Sequence, residues 1–189
     1  MQEELSEELR TEIGKHLMNT ENYGKLEDAN GIGLGVDKAT SNYVIMYIKR
    51  DDTHIIDVTF ATNATSQDPA TLGSILTEMI KGDDIETALE TVSGLEADLQ
   101  ESYASIEAPK IDTSKPVGEQ IERVSTEHQD SANMVLTSFR AAMRHYERKL
   151  EGIDEEYFEM SIAKICPYSM TDCHFVNKVE SKEDEPSSV

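Results

Sequence analysis

The chain has 189 residues, and its 17 basic against 38 acidic side chains give a formal net charge of -21. That length suits one domain with an ordinary core, and the negative surplus repels phosphate backbones and anionic lipid surfaces, which excludes nucleic acid and membrane surfaces and favours a basic protein partner. The start, M-Q-E-E-L-S-E-E-L-R, carries no cationic, apolar leader, no stretch of about 18 apolar residues occurs, and two cysteines make no disulfide framework, so the expected setting is the reducing cytoplasm.

Leu5, Leu9, Ile13 and Leu17 recur at intervals of four with Glu and Arg between them, which predicts an amphipathic helix over residues 3–18. Residues 19–28 are polar, and their Asn and Gly can take positive φ in a loop. Gly31, Gly33 and Gly35 alternate with Ile32, Leu34 and Val36. This is either an edge strand or a strand closely approached by another backbone. It is no dinucleotide fingerprint, for it lacks the strand before and the helix after. Residues 43–49 (Y-V-I-M-Y-I-K) and 54–62 form a predicted hairpin with one buried face, turned at D-D-T. Asp68 and Pro69 read as the N-cap and first position of a helix that stops at Gly82.

A helix over residues 85–92 is expected to end at Ser93-Gly94, with a further helix over 95–106. Pro109 and Pro116 mark a linker over 107–116. From Val117 a long helical pattern runs to Leu150, open to a break in the polar stretch 119–130; Met134, Val135, Phe139, Ala142, Met143 and Tyr146 mark its face. Such a face is a core stripe rather than a ligand box. Gly152 interrupts it, and Tyr157, Phe158, Ile162 and Ile165 predict a short helix over 153–165. The charged, serine-rich tail from 177 has the composition of a disordered segment.

Several stretches together resemble the iron-sulfur cluster scaffold family known as NifU or IscU. N-T-E-N-Y-G at 19–24 is similar to that family's N-P-R-N-x-G, and T-E-M-I-K-G at 77–82 to its T-E-W-x-K-G; R-A-A-M-R-H-Y-E-R-K at 140–149 is similar to its closing helix. The resemblance implies an α+β fold: a small antiparallel three-stranded sheet packed by helices, with a helical C-terminal extension. The division expected is 1–150 for the scaffold-like domain, 151–176 for the helical extension and 177–189 for the acidic tail.

The family's A-C-G-D falls on residues 39–42, which puts Thr40 at the first cluster cysteine and Asn42 at the aspartate. The strand ending F-A-T-N-A puts Thr65 at the second cysteine, and counting back from the closing helix puts Ser131 at the third, with Asp130 at a histidine. The resemblance therefore implies a cluster pocket at Thr40, Asn42, Thr65 and Ser131 whose thiols have become hydroxyls. Clusters are held by soft thiolates, whereas a Ser or Thr hydroxyl stays protonated and is a hard, weak ligand. No stable cluster is expected there; Asp68, His128 and Asp130 are the donors for a loosely held iron or zinc ion.

The family's chaperone loop L-P-P-V-K has no counterpart; the nearest sequence, S-K-P-V at 114–117, lies upstream of Ser131. The N-terminal helix and the 19–24 loop, which face the cysteine desulfurase in the family, are better kept. The function implied is that of a partner-binding or iron-handling accessory of cluster assembly, with a cysteine desulfurase or a genuine scaffold as partner. The alternative is a protein-interaction module that keeps the fold alone. No nucleophile stands with a base and an oxyanion site, so an enzyme is not expected.

The cysteines themselves lie in C-P-Y-S-M-T-D-C-H, where Cys166, Cys173 and His174 can supply half a zinc site or a redox pair; the spacing matches no tight metal signature, and the favoured expectation is one free cysteine packed at the end of a short helix and another in the tail. His145 stands among Arg144, Arg148 and Lys149, a cationic end suited to a helix C-terminus.

Overall fold

A computed structural model describes residues 7–106, 114 and 125–163. The elements in chain order are α1 (Glu7–Met18), β1 (Gly31–Asp37), β2 (Asn42–Arg50), β3 (Ile55–Thr62), α2 (Asp68–Ile80), α3 (Ile85–Ala104), α4 (Glu127–Leu150) and β4 (Phe158–Ser161). The fold is α+β, with one sheet in the order β3-β2-β1-β4. The β1-β2 and β2-β3 pairs are antiparallel, as expected of the hairpin pattern, and β4 adds to β1 in parallel.

Alternation along β2 and β3 decides which face is covered. Val44, Met46, Ile48, Val58 and Phe60 are fully buried beneath the helices, while Ile45 and Tyr47 on the opposite face stay partly open. The glycine alternation in β1 answers to the second of its two readings. A Cβ on Gly33 would stand 2.0 Å from the Ala142 amide nitrogen and 2.3 Å from the Ser138 carbonyl oxygen, and one on Gly35 2.3 Å from the Met134 carbonyl. Helix α4 thus lies with its backbone against the strand, and only glycine on one side with Ser138, Ala141 and Ala142 on the other permits that approach.

Three sequence expectations are corrected. The sheet has four strands rather than three, because residues 158–161 of the predicted helix over 153–165 are the strand β4. Gly33 pairs with Phe158 and Val36 with Ser161, so distant backbone partners override the helical spacing of the side chains. Helix α3 runs unbroken through Ser93-Gly94: Ser93 donates its hydroxyl back to the Leu89 carbonyl at 2.8 Å, and Gly94 faces solvent where no side chain is needed. Asp68 is the first helical residue rather than the cap, a place held by Gln67, while Gly82 ends the segment at φ 89° as expected.

His145 lies inside the fold rather than with the exposed basic residues of the helix end. It is 3% exposed, its Nδ1 accepts the Ile32 amide at 2.9 Å, and its Nε2 donates to the Glu155 carbonyl at 2.9 Å. The ring bridges β1 to the segment leading into β4. The loop 19–24 is fixed on the other side of the sheet, where Gly24 donates to the Phe60 carbonyl at 2.8 Å and Phe60 to the Asn22 carbonyl at 3.0 Å. It thereby covers the free edge of β3. Cys166, Cys173, His174, the tail 177–189 and all of the 107–116 linker but residue 114 lie outside the described residues.

Candidate functional site

The site grows from the end of β1. Asp37, the strand's last residue, is 2% exposed, and its carboxylate organises the turn into β2 by accepting the Ala39 amide at 2.9 Å and the Thr40 hydroxyl at 2.8 Å. The chain then needs a left-handed residue to reverse. Ser41 supplies it at φ 61°. Asn63, just past β3, locks the turn, accepting the Tyr43 amide at 2.7 Å and donating to the Ser41 carbonyl at 3.1 Å.

The first turn of α4 closes the opposite wall. Asp130 is 8% exposed and accepts the Tyr103 hydroxyl at 2.7 Å and the Thr126 hydroxyl at 3.0 Å. Tyr103, from α3, is itself 2% exposed. Its phenol is pushed well above the ordinary tyrosine value, by burial first and then by its bond to Asp130, so it remains a donor. Between these walls lies a pocket of about 360 Å³ lined by Asp37, Thr40, Asn42, Ala64, Ser66, Pro69, Glu127, Asp130, Ser131 and Met134.

Thr40, Asn42 and Ser131, far apart in sequence, therefore share one cavity. Thr65 does not line it; its side chain is exposed, and Ala64 and Ser66 on either side face the pocket instead. Of the three candidate metal donors only Asp130 is in the lining. His128 is largely exposed, holds Asp68 Oδ2 at 3.1 Å and borders a separate apolar groove beside Leu72 and Leu95.

Sequence reasoning passed over Asp37, Ser66 and Glu127. The D-K-A-T turn after the glycine strand was a signal for Asp37, since Asp favours such positions by bonding to amides two residues on. Ser66 was visible only as the residue before the helix, where its hydroxyl accepts the Asp68 amide at 3.3 Å. Chemically the lining offers hydroxyl, amide and carboxylate oxygens and the thioether of Met134, with no thiol and no cation among the described residues. Such a surface suits hard cations or hydrogen-bond donors.

A one-sided sheet with a pocket at its β1-β2 turn, closed by the first turn of a long helix, defines a domain of α+β type. The chain belongs to the NifU-like N-terminal domain family, whose description matches residues 8–152. It is 40% identical over 75 residues to the iron-sulfur cluster assembly scaffold protein IscU 1 of Archaeoglobus fulgidus, a stretch covering 40% of this chain and 48% of that protein. To the IscU scaffold protein of Aquifex aeolicus it is 37% identical over 87 residues, 45% of this chain and 55% of the other. The chain thus spans about half the length of the relatives it matches. Among solved structures, the N-terminal part of a NifU-like protein from Brucella abortus aligns with a TM-score of 0.46 at 15% identity, over 73% of this chain and 93% of that one. A scaffold protein for the SUF system from Fervidobacterium islandicum aligns at 0.43 and 23% identity, over 51% and 68%.

Among the described residues no helix is long and apolar enough to cross a membrane.

Proposed function

We propose that this protein is an accessory of iron-sulfur cluster assembly that holds no stable cluster in its pocket and acts by binding assembly partners or by passing iron over oxygen ligands. The observation that carries the reading is the lining itself. Thr40 and Ser131, which the resemblance aligns with the family's cluster cysteines, line one pocket whose neighbouring donors are carboxylates and an amide. Hydroxyls do not supply the thiolate donation that a cluster requires, whereas the oxygens of Asp37, Asp130 and Glu127 suit a divalent iron ion held briefly. The ordered loop 19–24 on the edge of β3, in the stretch that resembles the family's desulfurase-facing surface, supports a partner role.

Anaerobic reconstitution with iron and sulfide tests this. The last described residues bond beside the pocket, the Ile162 amide donating to the Val36 carbonyl and the Ala163 carbonyl accepting from the Asn133 side-chain amide. Both downstream cysteines must therefore be replaced first. The C166S/C173S protein is expected to form no stable cluster. On that background T40C/S66C/S131C is expected to gain cluster-like visible absorbance, and T40C/T65C/S131C to gain less, because position 65 faces solvent. A cluster on C166S/C173S alone overturns the reading. Titration calorimetry against a cysteine desulfurase and a genuine scaffold tests the partner role: binding no tighter than about millimolar, around -4 kcal/mol, leaves a module that keeps the fold alone.

A further inference from the structure

We propose that Glu12, His16 and Glu78 form a divalent-metal site of the zinc class that staples α1 to α2. His16 is a buried imidazole, 2% exposed, at the end of α1. Its Nδ1 lies 2.9 Å from the Ser74 hydroxyl, which also accepts the Glu21 amide at 2.7 Å. That contact fixes the ring and aims Nε2 outward, as an outer hydrogen bond does for a metal-bound histidine. Nε2 meets Glu12 Oε1 at 3.4 Å and Glu78 Oε2 at 3.3 Å, and the three ligand atoms all lie within 4.8 Å of one another.

The distances suit a shared metal ion. An imidazolium bound to a carboxylate sits at about 2.7–2.9 Å, so these contacts are long for charge-assisted hydrogen bonds. Two ligands on one tetrahedral zinc ion with bonds of about 2.0–2.1 Å are separated by about 3.3–3.4 Å, the edge of the tetrahedron. The two His16 to glutamate separations have the length of such edges, and all three ligand atoms lie close enough to share one ion. Glu12 and Glu78 are 55% and 46% open to solvent, which gives an ion access and leaves the fourth position to water.

Lys15 is the competitor. Its ammonium lies 3.4 Å from Glu12 Oε1 and 3.3 Å from Glu78 Oε1, and its side chain is 49% exposed. A half-exposed lysine on a flexible stem is free to swing aside when a dication takes the carboxylates. One imidazole with two carboxylates matches zinc, ferrous or cobaltous ions rather than calcium, which takes six to eight oxygens.

Cobalt(II) is the probe, because its visible absorption reports tetrahedral coordination directly. The full-length C166S/C173S/H174A protein removes the other sulfur and imidazole donors of the C-terminal segment. It is expected to bind a single Co²⁺ with a tetrahedral visible band that Zn²⁺ displaces. E12Q and E78Q, changes at exposed carboxylates that leave the fold intact, are each expected to weaken binding about tenfold or more, by loss of a charged ligand. Lys15→Met is expected to bind several times more tightly, a gain that a plain ion-pair cluster does not produce. No saturable band, a band that survives E12Q/E78Q, or a Lys15→Met protein that binds no tighter overturns the proposal. Co²⁺ held by the oxygen ligands and water of the pocket at Thr40 and Ser131 gives only a weak six-coordinate spectrum, which E12Q and E78Q leave unchanged, so the tetrahedral band reads this site separately.

Discussion

The middle of α4 and its first turn meet the β-sheet in opposite ways. At Met134, Ser138 and Ala142 the helix backbone rests directly on Gly33 and Gly35, with no room for one more carbon. At Glu127 and Asp130 the same helix stands over a cavity of about 360 Å³ whose polar lining is hydroxyl, amide and carboxylate groups. Close packing in the middle fixes the helix axis, and a fixed axis holds Ser131 opposite Thr40 without any bond between them. Rigidity in one region is what lets the other remain open.

The hardest test of this contrast is Gly33→Ala. A methyl group 2.0 Å from a backbone nitrogen has no flexible neighbour to displace, so α4 must lift from β1. The expected loss is at least about 3 kcal/mol in urea unfolding, or no folded protein at all. A loss below about 1 kcal/mol would mean that the helix does not rest on the strand. Next comes Tyr103→Phe, which removes a buried donor to Asp130 at the cavity wall. A hydrogen bond to a charged group contributes about 1.5–3 kcal/mol, and that is the expected cost, since the carboxylate keeps only part of its solvation.

The same tyrosine predicts a pH dependence. Its folded-state value lies above the unfolded one, so its contribution is fully present below about pH 10 and is lost as pH rises further, at up to about 1.4 kcal/mol per unit. Wild type should lose stability in that range more steeply than Tyr103→Phe, as alkaline unfolding curves will show. Arg140→Ala removes the paired bonds to Glu96 at 2.9 and 2.8 Å between α4 and α3; the pair is a third exposed, so about 1 kcal/mol or less is expected. Least of all, Thr65→Ala should change stability by no more than about 0.5 kcal/mol, because the side chain is exposed beside the cavity rather than within it.

What the sequence revealed followed the range of the forces involved. The β2-β3 hairpin and the stop at Gly82 depend on neighbours and were legible from alternation and turn chemistry. The glycines of β1 announced a close approach, though not which element approaches. Strand β4 was illegible, since Phe158 to Ser161 are held by the backbone of β1 and their side chains carry a helical spacing. At the pocket Ser66 is in the lining and Thr65 is exposed, because the chain leaves strict alternation after Asn63 and pattern no longer says which side chain turns inward. Glu12 and His16 sit four apart on one helix face, yet nothing local tied them to Glu78.

The parallel pairing of β4 with β1 also has a consequence in time. Gly33 acquires its partner only at position 158, and at about 5–20 residues per second a ribosome needs on the order of ten seconds to deliver it. Throughout that interval one side of β1 offers unpaired amides and carbonyls to any other nascent chain. Brief occupancy by a chaperone during synthesis would change the yield of this protein without altering the stability of the finished fold.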